Sequence, residues 1–415
     1  MNDIEVYVDL SGETFLVGLA RINRARGNET MVFEYDRAWL ESTNRFALEP
    51  GLPLMRGGFS PGAGHSLFGS IGDSAPDTWG RRLMQRAERR AAQKEGRQVR
   101  TLMETDYLLG VTDFSRLGAL RFKKKAEDRF LAISPNGVPA LLDLGRLLQS
   151  SDRILSDEET DEDLQMIFAP GSSLGGARPK ASILDQNGDL SIAKFPKEND
   201  DYSIETWEEI ALRLASLSGI QTPTHALVKV AGRAVLLSKR FDRSGIYRMP
   251  FLSAMAMTAS RDGQTGSYPE LVDALGVHGA QARLDSSQLY RRVVLNVMIS
   301  NVDDHLRNHG FLWAGKAGWV LSPAYDLNPV PTDLKPRILS TNIDLGEATC
   351  SLDLLESACG YFGLGLREAR MIIREVAQVT KNWRAIAADV GAKASEISRM
   401  ATAFEHEDLN RALKL

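Results

Sequence analysis

The stretch that most limits what this chain can become is an apolar run that breaks abruptly into a polar cluster. Residues 291–300 read RRVVLNVMIS, the next ten read NVDDHLRNHG, and FLWAGKAGWVLSPAYDL follows. A run of that character has to be buried, so it delivers its polar flank to the mouth of a core. Two carboxylates, two imidazoles and two amides fall within those ten residues. Polar clusters so placed are commonly active sites, and the competing reading is a solvated surface turn.

Spacing sharpens the choice. Asp303 precedes Asn308 by the interval that, in the protein-kinase catalytic loop, separates the carboxylate accepting a hydroxyl proton from the amide holding magnesium. Alone that interval is common. After it come two strand-like segments, GFLWA and GWVLS, around GKAG, and the second runs into PAYDL, which sets Asp326 at a strand end beyond a hairpin. Kinases present base, amide, hairpin and second carboxylate in the same order. Phosphoryl transfer needs hard oxygen ligands to place Mg²⁺ against the phosphates and one carboxylate beside the attacking hydroxyl. Asn308 and Asp326 suit the first task, and Asp303 suits the second.

Upstream elements extend the series. Lys194 lies in SIAKFP, a strand resembling the kinase V-A-I-K segment, and Glu205, Glu208 and Glu209 follow on a helix, so a lysine–glutamate pair could hold the ammonium against ATP phosphates. The loop GSSLGGARPK offers Gly175 and Gly176 for close backbone approach to phosphate and Arg178 or Lys180 for charge, yet it matches neither G-x-G-x-x-G nor a P-loop. Phosphorylation of Ser172 or Ser173 there would put like charge where ATP must bind, an off-switch.

The rest of the chain is read as organisation. Residues 4–46 alternate apolar and polar in short stretches, a small antiparallel sheet. A helix is expected from Pro76 and Asp77 onward; its Arg81, Arg82, Arg86, Arg89, Arg90, Lys94, Arg97 and Arg100 form a solvated face partly paired by Glu88 and Glu95, with a patch for an acidic partner as the alternative. Acid-rich SSDRILSDEETDED, about 151–165, reads as a linker between a first domain over 1–150 and a second unit. That unit begins with mixed strands and one helix over 166–245, and residues 246–415 are mainly helical. Composition is globular, with 43% hydrophobic and 25% charged residues, and a net charge of −4 argues against a broad nucleic-acid surface. The two cysteines, Cys350 and Cys359, lack metal-type spacing, and no apolar run reaches membrane-spanning length, so a reduced cytoplasmic setting without membrane contact is expected.

Two rivals come from other motifs. His305 and His309, four apart, could present two imidazoles to zinc in a metal-dependent hydrolase, but no glutamate follows His305 as in H-E-x-x-H, and a structural, loop-orienting His305 is favoured. IAADVGAKASEISRMATAF has helix-turn-helix spacing, but its second helix carries few basic or amide side chains besides Arg399, so a packed helical pair is favoured over a DNA reader.

Taken together, LFGSIGDSAPDTWGRRLM, SSLGGARPKASI, IAKFP, RFDR, NVDDHLRNHGFL, LSPAYDL and WRAIAADVGAKASEISRMATAFEH resemble the HipA family, serine/threonine kinase toxins of bacterial toxin–antitoxin modules, over nearly the whole chain. The resemblance implies an α+β fold: a small β-rich N-terminal subdomain, then a two-lobed kinase-like domain with a mainly helical C-lobe and ATP between the lobes. By motif it implies Asp303 as base, Asn308 and Asp326 as Mg²⁺ ligands, Lys194 as the phosphate-contacting lysine and Glu208 as its helix partner. The glycine loop with Ser173, Gly175, Gly176 and Lys180, the backbone from Lys239 to Phe241, and His305 would serve the nucleotide, and Ser173 or Ser172 would be the inhibitory autophosphorylation site. Lys239 stands where some relatives carry an acidic residue, and Asp304 competes with Asp303 for the base, although the interval to Asn308 favours Asp303. A separate HipB-like DNA-binding antitoxin and a protein substrate such as an aminoacyl-tRNA synthetase are implied partners, with DNA reached only through the antitoxin. A kinase-fold scaffold that binds an antitoxin without catalysis is the non-enzymatic alternative.

Overall fold

The computed structural model describes residues 2–25, 27–125, 127, 129–130, 141–168, 176–261 and 263–415. The chain forms two compact units, Met1–Asn199 with Lys229–Leu252, and Asp200–Val228 with Ser253–Leu415. Each is taken by itself.

In the first unit, strands β1 (Asn2–Leu10), β2 (Glu13–Ala25), β3 (Asn28–Tyr35), β4 (Gly58–Phe59) and β5 (Leu120–Lys124) form one antiparallel sheet in the order β4-β3-β2-β1-β5. Alternate residues face the core: Ile4, Val6 and Val8 on β1, and Met31, Phe33 and Tyr35 on β3, are all buried. That period of two is what the 4–46 pattern predicts. The chain then turns into a short helix, Arg37–Glu41, because the Asp36 carboxylate accepts the Ala38 N–H at 2.8 Å.

Helix α1 (Thr78–Glu95) starts at Asp77, whose side chain accepts the Gly80 N–H at 2.7 Å, and stops at Gly96, left-handed at φ 65°. Three of its arginines are paired with carboxylates on other elements, Arg81 to Glu104, Arg86 to Asp157 and Glu159, and Arg90 to Asp161. Arg97 and Arg100 both reach Glu88, which their hydrogen bonds hold down at about 2. The stretch expected from its acidity to be a linker is instead largely helical, in α2 (Leu144–Leu155) and α3 (Asp161–Phe168). Composition misleads there because several of the acids, though exposed, are ion-pair partners, Asp157 of Arg86, Asp161 of Arg90 and Glu162 of Arg146. Asp163 is buried, accepts from Arg153 and Ser150, and its carboxyl is held well below the usual range chiefly by the Arg153 hydrogen bond.

A second antiparallel set joins β6 (Lys180–Leu184), central β7 (Leu190–Lys194) and β8 (Arg233–Lys239), with Lys180 opposite Lys194 and Ala193 opposite Leu237.

In the second unit, α4 (Ile204–Leu217), α5 (Tyr268–His278), α6 (Ala282–Ile299) and α7 (Leu366–Thr380) build a helical core beside the hairpin β9 (Gly310–Trp313) and β10 (Trp319–Leu321). On α6, Leu289, Tyr290 and all of 292–299 are buried, as the apolar run requires. The would-be DNA-reading motif is α8 (Trp383–Val390) and α9 (Ala394–Phe404), joined through Gly391 at φ 92°. Trp383 and Phe404 stack with ring centres 4.5 Å apart, and the Trp207 indole donates to Glu396 at 3.1 Å, so α9 spends its inner face on packing. The packed helical pair is what stands there.

Candidate functional site

The polar cluster begins where α6 has to end. Ser300 takes a left-handed conformation (φ 53°), which stops the helix and turns the chain, and Arg337 donates to the Val297 carbonyl at 3.0 Å and to Ser300 Oγ at 3.1 Å. A guanidinium at a helix C-terminus satisfies free carbonyls and opposes the negative end of the dipole.

The loop from Asn301 to Asn308 is then fastened to the segment that follows the hairpin. Asn301, fully buried, donates to the Asn296 side chain at 2.9 Å and accepts the Asn328 N–H at 2.9 Å. The Tyr325 hydroxyl donates to the Arg307 carbonyl at 2.8 Å, and the Val330 N–H donates to the Ser300 carbonyl at 3.1 Å. Three ties therefore bring the sequence neighbourhoods of Asp303, Asn308 and Asp326 together.

The adjacent carboxylates Asp303 and Asp304 have opposite fates. Asp304 is 1% exposed and accepts hydrogen bonds from the Tyr268 hydroxyl, Asn296 Nδ2 at 2.7 Å and His309 Nε2 at 2.8 Å. Burial alone raises its carboxyl, but the His309 charge and the hydrogen bonds from His309 and Tyr268, with His305 nearby, outweigh it and hold the group below its ordinary range. Its own backbone carbonyl accepts from Thr341 Oγ1 at 2.6 Å. Asp303, one residue earlier, is exposed, with Lys335 Nζ at 3.3 Å. Asp304 is thus an anchor that presents Asp303 to solvent.

Asn308, 6% exposed, donates its amide nitrogen to the Asp303 carbonyl at 3.1 Å, which leaves the amide oxygen as the atom it can offer a hard cation. Asp326 sits at φ 59°, a conformation that costs a non-glycine residue on the order of 1 kcal/mol or more. Its carboxylate accepts from Asn328 Nδ2 at 3.2 Å, so the two bonds of Asn328, one by backbone and one by side chain, fix the strained residue between the loops.

The histidines separate too. His309 is committed to Asp304, the orienting role expected of His305, whereas the His305 Nδ1 is buried with no hydrogen-bond partner among the described residues. Among the described residues no three His, Cys, Asp or Glu side chains are grouped to hold a metal ion, so the zinc pair gains no further ligands. Below the loop, buried Arg292 donates to the Ser322 carbonyl; burial pushes its guanidinium down to about 10 against the opposing charges of Asp304, Tyr325 and Asp285.

Of the helix α4 glutamates, Glu209 is taken by Arg213 at 2.8 Å and His225 at 2.7 Å, while Glu208 is 4% exposed. Lys194, Lys180, Lys239, Phe241 and Gly176 belong to the first unit. Lys180 forms a buried pair with Asp77 at 2.8 Å, Lys239 pairs with Asp189, Phe241 packs near Phe251 with ring centres 6.2 Å apart, and Gly176 is left-handed at φ 95°. Lys194 ends β7, half-buried. Ser172, Ser173 and Gly175 lie outside the described residues.

Two supports escaped the reading of the motifs, Asn296 and Asn328, while Asn301, counted among the amides of the cluster, is a fastener of the loop. Asn296 carried a signal, as the lone polar residue in VVLNVMI, because a buried amide needs partners. Asn328 carried none, since its partner is 27 residues away.

With this geometry in hand, comparison with known proteins is specific. Residues 172–383 match the HipA-like C-terminal domain and residues 16–105 match the HipA N-terminal domain. The chain belongs to the HipA family. Among curated proteins it is 24% identical over 348 residues to a Sinorhizobium fredii protein named "Putative kinase Y4mE", covering 74% of each chain. It is 28% identical over 119 residues to "Putative kinase Y4dM" of the same organism, and 22% identical over 197 residues to a Haemophilus influenzae "Putative kinase". Those matches span 28% of this chain and 28% of the Y4dM protein, and 41% of this chain and 57% of the Haemophilus protein. Among solved structures it resembles Shewanella oneidensis HipA from a complex with HipB and operator DNA, at TM-score 0.68 and 17% identity over 99% of this chain and 96% of that one. At that identity the likeness establishes a shared fold. Among the described residues no helix is long and apolar enough to cross a membrane.

Proposed function

We propose that this protein is a protein kinase that transfers the γ-phosphoryl group of ATP to a serine or threonine hydroxyl. The observation that carries the reading is the fastening of the Asn301–Asn308 loop to the Tyr325–Val330 segment, which leaves Asp303 exposed while Asp304 beneath it is fully engaged. It rests on the second unit alone.

In this reading the Asp303 carboxylate accepts the hydroxyl proton as the substrate oxygen bonds to the γ-phosphorus, the bond from that phosphorus to the β–γ bridging oxygen breaks, and ADP departs. The donor set fits Mg²⁺: the Asn308 amide oxygen and the Asp326 carboxylate are hard ligands on one fastened frame. When bound, Mg²⁺ neutralises phosphate charge. The left-handed turn at Asp326 and its Asn328 contacts would fix that carboxylate before nucleotide arrives, so positioning is not paid for during the reaction.

By family resemblance, Lys194 and Glu208 are proposed for phosphate contact, Gly175, Gly176, Lys180 and His305 for the phosphate surroundings, the backbone of Lys239 to Phe241 for adenine, and Ser173 or Ser172 for inhibitory autophosphorylation. A HipB-like antitoxin as partner and an aminoacyl-tRNA synthetase as substrate are proposed on the same footing. A toxin neutralised by that antitoxin is the role this implies.

The test is transfer of label from γ-labelled ATP to protein, with phosphoamino-acid analysis. Wild type should give phosphoserine or phosphothreonine, and Asp303→Asn should lower the rate by at least about 100-fold, the size of general-base contributions. Equal labelling by the variant removes Asp303 from the role.

A further inference from the structure

Away from the 301–330 loops, the second unit carries a groove unrelated to that chemistry. Its walls are the end of α4 at Leu217–Gly219, Gln288 and Arg291 on α6, and one stripe of α7, and it encloses about 690 Å³. A contiguous cleft of about 350 Å³ shares Met371 and Arg374 and continues the same stripe to Arg367. Positions 367, 371, 374 and 378 recur at helical spacing, so they form one face of α7.

That face is not needed by the core. Helix α7 buries Ile372, Ile373, Val376 and Ala377, whereas Met371 is 54% exposed and Leu217 across the groove is 63% exposed. Large apolar side chains so exposed on facing walls mark a contact surface more often than an isolated one does. The charge is one-sided: Arg291, Arg367, Arg370 and Arg374 line the two clefts against Glu375 alone among side-chain carboxylates. Arg291 is engaged by Glu375 and Arg370 by Glu356, but Arg367 and Arg374 make no ion pair among the described residues.

We propose that this groove docks an acidic segment of a partner protein, seating an apolar side chain between Leu217 and Met371 and carboxylates on Arg367 and Arg374. Apolar walls flanking the cations disfavour nucleic acid, whose backbone has nothing to place against Met371 and Leu217. A second copy docking face to face would set Arg374 against Arg374.

The experiment uses the full chain and a fluorescein-labelled helical peptide with leucines four apart flanked by glutamates, read by anisotropy. The peptide should bind saturably, weaken as salt rises, and lose about tenfold or more in affinity to Met371→Glu and to Arg374→Glu, with unchanged circular dichroism and thermal melts. A counterpart with lysine for glutamate should bind about tenfold more weakly or worse. Absence of acidic-peptide binding up to about 1 mM, equal binding by both variants, displacement by a single-stranded oligonucleotide, or a dimer in sedimentation velocity that Met371→Glu dissolves would each overturn the proposal. None of these readouts uses ATP, so they stand apart from the kinase assay.

Discussion

Replacing Asp304 by alanine tests whether the second carboxylate of the pair is an anchor. The substitution removes the shared acceptor of three donors inside the protein: the Tyr268 hydroxyl, His309 Nε2, and Asn296 Nδ2, which keeps only the Tyr268 oxygen at 3.3 Å. Each unsatisfied buried donor costs about 1–3 kcal/mol, and some of that is recovered as the pocket relaxes or admits water. The three costs overlap, so the expected loss is about 3–5 kcal/mol in all. Urea unfolding followed by circular dichroism should show the midpoint falling accordingly at unchanged slope. Asp303→Ala is the internal control, since its partner Lys335 and its own side chain are both more than half exposed, and such pairs contribute at most about 1 kcal/mol. An Asp304→Ala protein within about 0.5 kcal/mol of wild type, or an Asp303→Ala protein equally destabilised, would refute the division of labour drawn here.

Acid stability should depend on His406, whose imidazole burial and the Arg337 charge push down to about 4. Its folded value lies below the unfolded one, so its contribution is complete above about 6.5 and is lost as pH falls from 6.5 toward 4; His406→Gln should flatten the stability profile over that window. Asn301→Ala removes the acceptor of the Asn328 N–H and should speed hydrogen exchange at that amide by about tenfold or more while costing about 1–3 kcal/mol; unchanged exchange would mean the two loops are held by other contacts. At Gly391, φ is 92° and an added Cβ meets no atom within 4 Å, so Gly391→Ala should cost about 1–2 kcal/mol from backbone strain alone.

Much of this was legible in the sequence where the pattern is local. The strands SIAKFP and KASILD, the hairpin around GKAG and the helix under RRVVLNVMIS follow from periodicity and turn residues, and the two helices around Gly391 from a glycine stop. Family resemblance supplied the order of the motifs. What it could not supply was partnership over distance. The acids at 151–165 look like solvated linker until Asp163 is seen buried against Arg153, and the arginines of α1 look like an open basic face until their carboxylates on other elements are known. Likewise two adjacent aspartates are equal as letters. Only the three donors converging on Asp304 distinguish it from exposed Asp303.

The most direct measurement of the central claim is the position of a metal ion beside a nucleotide. Crystals of the full chain grown with Mn²⁺ and a non-hydrolysable ATP analogue should give an anomalous peak bonded to the Asn308 side-chain oxygen and the Asp326 carboxylate, with the terminal phosphate facing Asp303. Nucleotide held elsewhere, or manganese bound without either residue, would contradict the account.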